Sequence, residues 1–233
     1  DDGQFVFTTD EKSDAYLAAY DISNISNIQE VDRIQSNPGS NSIPHNTHVD
    51  GNFLITSYYR DGTTVHDITY PNNMIQVAYY DSYTLPAGSP SWQSGQYEGD
   101  GFDGCWGTYP FLPSGNIISS DINSGVNGNG RLLVYERGFT QACYLEGNVT
   151  DGNSGLSLTN VDVEILNTIM PQITSTNLNG FYDCGNADSG TFDVVFSKLG
   201  YISDTLQAIL INGQVVILNA VLYIDPNVPL LGC

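Results

Sequence analysis

A pattern that recurs along roughly the first 137 residues constrains this chain most. Phe5-Val6-Phe7-Thr8-Thr9-Asp10 is a short apolar segment ending in hydroxyl and acidic residues, and Tyr16–Ser23 follows it. The same pairing returns as Phe53–Tyr58 with Thr63–Thr69, and again as Asn116–Asp121 with Arg131–Glu136. Phe5 and Phe53 lie 48 residues apart, while the third pair is delayed by a Pro/Gly/Ser-rich insertion from Leu85 to Gly101. A further apolar segment follows the first two pairs, Ile28–Ile34 and Met74–Tyr80, each reached through an Asn-rich turn. Short runs of Phe, Tyr, Val, Ile and Thr between Gly, Asn and Ser read as β-strands. A unit of roughly 40–50 residues with about four strands is the signature of propeller blades, because one such sheet cannot bury both faces and must lie against a like sheet. An ordinary β-sandwich is the competing expectation.

Composition fits an all-β chain and narrows its partners. The 233 residues carry 15 Tyr and 9 Phe for strands and 24 Gly for turns, and the length is enough for two ordinary domains. Charged residues are 14 %, and 26 Asp and Glu against 6 Lys and Arg leave a net charge of -20. Such a surface repels phosphate backbones and anionic membranes, so no nucleic-acid partner is expected. No apolar run reaches the ~18 residues of a membrane span. Cations are the natural counter-partners, and Ca²⁺ is the cofactor such oxygen-rich loops would hold. The N-terminus carries no signal peptide, which predicts a processed end or an internal cut.

Within the repeat, Pro44–Gly62 (Pro-His-Asn-Thr-His-Val-Asp-Gly-Asn-Phe-Leu-Ile-Thr-Ser-Tyr-Tyr-Arg-Asp-Gly) and Gly104–Asp121 (Gly-Cys-Trp-Gly-Thr-Tyr-Pro-Phe-Leu-Pro-Ser-Gly-Asn-Ile-Ile-Ser-Ser-Asp) resemble the blade signature of bacterial LVIVD-repeat surface proteins of the choice-of-anchor B type. The resemblance covers residues ~4–137 and implies an exported β-propeller with no established enzymatic activity. Three blades are fewer than the four to eight that close a propeller. The chain is therefore expected to be part of a larger protein, with upstream blades missing, or to pack against another subunit.

A second module begins at Cys143. Leu145–Asp151 runs into a turn, Val161–Leu166 alternates apolar and acidic residues as a half-buried strand does, and Gly180 leads into Phe181-Tyr182. Gly190–Tyr201 and Val215–Leu222 complete a seven-strand layout similar to the carboxypeptidase regulatory-like domain, a transthyretin-like sandwich, over residues ~143–223. That resemblance implies a spacer or adhesion module without zinc ligands. The expected division is 1–140 for the blades, 141–224 for the sandwich and 225–233 for a tail whose prolines block strand continuation. Cys105, Cys143, Cys184 and Cys233 form no Cys-x-x-Cys pair and allow three disulfide pairings. Cys143 with Cys184 is preferred because both fall in the second module, and Cys105 could equally be a buried thiol.

Candidate chemistry is sparse. The three histidines, His45, His48 and His66, stand in no nucleophile or zinc motif, and no phosphate-cradling glycine loop is present. Strand-leading residues of successive blades would converge at one channel mouth, which makes Asp10, Glu11, His45, Asp121 and Asn123 the candidate metal ligands. The competing expectation is that His45 hydrogen-bonds backbone. Asp121–Gly130 places oxygens like a calcium loop, but Leu132 stands where an EF-hand needs Glu. Trp92, Tyr97, Tyr58 and Tyr59 are candidates for stacking on glycan, whereas Trp106 and Tyr109 are expected to pack between blades. The functional expectation is a non-catalytic, secreted or cell-surface bacterial protein, structural or adhesive, belonging to a larger assembly. A glycan- or peptide-binding propeller is the alternative, and a metal-dependent enzyme the third.

Overall fold

The computed structural model describes residues 3–83, 101–122, 130–170 and 172–228, and these hold nineteen strands and no helix. The chain divides into two compact units, residues 1–139 and 140–233.

The first unit is three antiparallel meanders. β1 (Phe5–Thr9), β2 (Leu17–Asp21) and β3 (Gln29–Ile34) form the first sheet. The second is β4 (Thr47–Asp50), β5 (Phe53–Ser57), β6 (Thr63–Asp67) and β7 (Ile75–Tyr80), and the third is β8 (Gly104–Tyr109), β9 (Ile117–Ile122) and β10 (Arg131–Tyr135). The repeat extends to backbone detail. Phe5 pairs with Asp21 and Phe53 with Asp67. Bulges fall at matching places, Ala19/Tyr20 and Val65/His66. Each aspartate then accepts the amide two residues on, Ser23 at 2.8 Å and Thr69 at 2.8 Å. These Asp-Ile-Ser and Asp-Ile-Thr turns steer the chain into the following strand.

Side-chain alternation explains how the sheets stack. Leu54 points back and packs with Leu17, Ala19, Ile68 and Met74, while its neighbour Ile55 points forward to Val65 and Ile117. All five β6 residues are buried in consequence. At about 1.5–3 kcal/mol per large aliphatic side chain, each interface contributes several kcal/mol. Backbone groups also cross between layers: the Met74 amide donates to Asp32 at 2.6 Å, and Tyr59 and Cys105 exchange N–H···O bonds of 3.0 and 2.8 Å. Three sheets thus lie in a row, and the partial propeller expected from the repeat closes no ring among the described residues. The two ends of the row differ. The outward rows of the first sheet are Val6-Tyr20-Glu30 and Thr8-Ala18-Arg33. On the third sheet the outward side of β10 presents Leu132 and Val134, which are 71 % and 61 % exposed.

The second unit is a β-sandwich. Its strands are β11 (Cys143–Asp151), β12 (Asp162–Ile165), β13 (Gln172–Ser175), β14 (Phe181–Asn186), β15 (Gly190–Ser197), β16 (Tyr201–Ile202), β17 (Asp204–Leu210), β18 (Val215–Ile217) and β19 (Ala220–Ile224). One sheet runs β14-β11-β19-β16 with β18 beside β11; the other runs β13-β12-β15-β17. Leu145, Val149, Val163, Ile165, Tyr182 and Phe196 share one core cluster. Nine strand segments replace the seven expected, because β18 and β19 pair with successive halves of β11 and are broken at Leu218-Asn219. Gly147 makes that break possible: a Cβ there would lie 2.0 Å from the Leu218 carbonyl oxygen.

The expected Cys143–Cys184 disulfide is not formed. The register pairs Cys143 with Asn186 and Cys184 with Leu145, so the two cysteines stand diagonally across adjacent strands. Diagonal neighbours are roughly 7–8 Å apart, beyond the span of a disulfide. Cys143 is a free, fully buried thiol.

Candidate functional site

Glu11, His45, Tyr59 and Trp106 meet at the edge of the stack formed by β4 and β8. Pro44-His45-Asn46 leads into β4 and is held to β5 by His45 N–H to the Ser57 carbonyl and Ser57 N–H to the Asn46 carbonyl, both 2.9 Å. Across from it, Cys105 pairs with Asp121 and Gly107 with Ser120, leaving Trp106 as the extra residue of a β-bulge. A bulge re-aims the residue it inserts, and Trp106 is 50 % exposed. Gly104, at φ +95°, permits the approach, since a Cβ there would fall 2.4 Å from the Tyr59 carbonyl oxygen.

One interaction network results. The His45 ring stacks on Trp106 with centroids 5.6 Å apart and planes 22° apart. His45 Nδ1 lies against the Trp106 carbonyl and 2.9 Å from the Asn46 amide. His45 Nε2 is 3.5 Å from Glu11 Oε1. The buried Tyr59 hydroxyl donates to that same oxygen at 2.5 Å. Burial, and then the bond to Glu11, raise the pKa of Tyr59, so it remains a donor at neutral pH. Beyond this network the edge is aromatic: Phe102 packs edge-on to Tyr59, and His48 packs edge-on to Tyr109 and Phe111.

The other sequence candidates separate. Asp10 is paired with Lys12 at 2.7 Å on the surface. Asp121 is buried on β9, paired with Cys105 and Arg131, and Asn123 lies outside the described residues. Of the four expected metal ligands that are described, Glu11 and His45 meet, and no three His, Cys, Asp or Glu among the described residues converge on a cation. Tyr58 and Tyr59, expected as exposed stacking platforms, are 1 % and 2 % exposed, with the Tyr58 hydroxyl donating to the Ala15 carbonyl at 3.2 Å. Trp92 and Tyr97 lie outside the described residues. The reverse correction applies to Trp106 and Tyr109, expected as inter-sheet packing and found half exposed. Two glycines flanking Cys105-Trp106 were the signal for the bulge, since isolated glycine in a strand marks one.

Between the second and third sheets lies a polar interior. Thr63 Oγ1 is 2.6 Å from Ser119 Oγ and 3.4 Å from Cys105 Sγ. Burial pushes the Cys105 thiol up to about 11, which leaves it a poor nucleophile at neutral pH. A cavity of about 190 Å³ opens nearby, with Val65, Ala78, Tyr80, Tyr135 and Phe139 among its lining residues.

No family model matches the chain, and no curated protein matches it. Among solved structures, the minor pilin GBS52 of Streptococcus agalactiae aligns at 12 % identity and TM-score 0.33, covering 54 % of this chain and 66 % of its own. The pilus 2b backbone protein of group B streptococcus aligns at 13 % identity and TM-score 0.30, covering 97 % and 80 %. The major pilin BcpA of Bacillus cereus aligns at 11 % and 0.32, covering 96 % of this chain and 57 % of its own. Scores this low do not define a common fold. The resemblances to LVIVD-repeat surface proteins and to carboxypeptidase regulatory-like domains are therefore corrected. No model of either family matches the chain, and the three sheets close no ring among the described residues.

Proposed function

We propose that this chain is a non-catalytic structural protein of the bacterial cell surface or its surroundings, a subunit of a larger assembly. The observation that carries the proposal is the uncovered end of the three-sheet row. In the middle sheet the forward-facing side chains Ile55 and Val65 are buried against the next sheet. Their counterparts in the third sheet are Ile118 and Val134, which pair with each other across β9 and β10. With Leu132 they form an apolar face on which no sheet of this unit lies among the described residues, beside β10, an edge strand among those residues. Apolar faces and free strand edges of this kind favour association.

The chemistry of the described residues supports a structural role. Burial holds Cys105 as a poor nucleophile and pushes His66 down to about 4, away from useful acid–base range. The net charge of -20 keeps such a surface soluble outside the intended contact. Light-scattering mass measurement tests the reading. The expected result is a mass that rises with concentration above the 25.3 kDa monomer and falls back to it in Leu132→Glu/Val134→Glu. A wild-type chain that stays monomeric at every concentration overturns it.

A further inference from the structure

The geometry points to a saccharide-binding platform at the bulged Trp106, taking neutral glycans through ring stacking on its open face and hydrogen bonds to Glu11 and His45. Three independent observations meet there. First, the bulge opposite Asp121 and Ser120 holds Trp106 outward at 50 % exposure, an arrangement that two neighbouring glycines make possible. Second, one indole face is covered by the stacked His45 ring, so the indole is pre-set at little entropic cost for a flat ligand. Third, polar groups stand beside the ring rather than beneath it. Glu11 is 45 % exposed at its side chain, His45 is 17 % exposed, and their Oε1 and Nε2 atoms are 3.5 Å apart.

This pair suits two adjacent hydroxyls. A carboxylate accepts from both, and an imidazole nitrogen accepts or donates according to its proton. Tyr59 fixes Glu11 from below, because its buried hydroxyl spends its proton on Glu11 Oε1. The second carboxylate oxygen is left for a ligand. The backbone of His45 is fixed as well: its amide bonds to Ser57 and its carbonyl accepts from Thr9 Oγ1 at 2.5 Å. A constellation locked this way on strands is pre-organised.

The ligand class follows from what surrounds it. A chain of net charge -20 repels anionic sugars, nucleotides and phosphates. A caged cation would need several open aromatic faces, and here one indole face is already occupied. Tyr109 stands three residues along the same strand, roughly 10 Å away by strand rise. It is 45 % exposed and packs edge-on to Phe111. The stacking platform is therefore the single Trp106 ring, with Tyr109 held against His48 and Phe111.

Fluorescence gives the test, because the chain has two tryptophans. In Trp92→Phe, emission reports on Trp106 alone. Titration with neutral cello-, malto-, manno- and chito-oligosaccharides is expected to shift that emission for at least one of them, in about the millimolar range or tighter that an open platform implies. Trp106→Ala is expected to weaken the same interaction about tenfold or more by calorimetry, and Glu11→Gln to weaken it less, with circular dichroism unchanged. The Glu11→Gln and Trp92→Phe measurements stand if Trp106→Ala does not fold. The proposal is overturned if no neutral oligosaccharide shifts Trp106 emission, if affinity survives Trp106→Ala, or if a sialylated glycan or a lysine-rich peptide binds better than every neutral sugar. The two readings are told apart by their variants: Leu132→Glu/Val134→Glu on β10 is expected to leave the sugar-induced shift of Trp106 emission in place, and Trp106→Ala on β8 to leave the concentration-dependent mass unchanged.

Discussion

His66 illustrates how much one side chain depends on its layer. It sits on β6, fully buried in the middle sheet opposite Gln76 of β7. Burial lowers its pKa from 6.5 to about 4. A lowered pKa means that the unfolded chain takes up the proton first, so this group's contribution is complete above pH 6.5 and is lost as pH falls toward 4. The loss amounts to roughly 3 kcal/mol. Asp81 acts with the opposite sign: burial, and then the charge of Asp121, raise it to about 6, so its contribution grows as pH falls from 6 toward 3.8. Denaturant midpoints of wild type and His66→Gln, compared at each pH from 7 to 4, cancel the Asp81 effect. The wild type is expected to lose stability relative to the variant across that window, and parallel curves would refute the assignment.

At the scale of elements, the third sheet depends on Arg137. Its Nε donates to the Gly115 carbonyl at 2.7 Å and its Nη2 to the Pro110 carbonyl at 2.8 Å, and it is ion-paired with Asp50 at the end of β4. One guanidinium therefore joins the segment after β10, the β8–β9 connection and the second sheet. Lysine cannot reproduce a planar fork serving several acceptors. Arg137→Lys and Arg137→Ala are both expected to lower the stability of the first unit, read from its urea transition, by about 1–3 kcal/mol, given the partial exposure of the site. A Lys variant indistinguishable from wild type would show that charge alone suffices. Nothing around Arg137 in the sequence marks it for this role, because its acceptors are backbone carbonyls more than twenty residues away.

For the whole molecule, the two units make separate cores, which predicts separate responses. A Cβ on Gly62 would lie 2.0 Å from the Tyr80 carbonyl oxygen at φ +79°, and one on Gly147 would lie 2.0 Å from that of Leu218. Each Gly→Ala change should cost about 3 kcal/mol or more in its own unit, since backbone atoms must move. Scanning calorimetry is expected to resolve two transitions, with Gly62→Ala lowering one and Gly147→Ala the other. Both variants shifting a single common transition would show that the units unfold as one.

Local information was enough to place the strands. Alternating Phe-Val-Phe and Val-Asp-Val segments, Asp-Ile-Ser/Thr turns and glycine punctuation act over a few residues, so β1, β2, β3, β5, β6, β7, β9, β10 and, in the sandwich, β11, β12, β14, β15 and the β18–β19 segment were legible in the chain alone, whereas β13 and β17 were not. The repeat also announced that sheets would lie on like sheets, since Leu54 and Ile55 must each find an apolar partner. Which sheets those are, and whether the row closes, depends on contacts made across long stretches of chain. The same holds for the edge where His45, Glu11 and Trp106 meet and for the burial of Tyr58 and Tyr59. Neighbouring residues dictate a side chain's alternation along its strand. Only the packed layers decide which of those sides meets water.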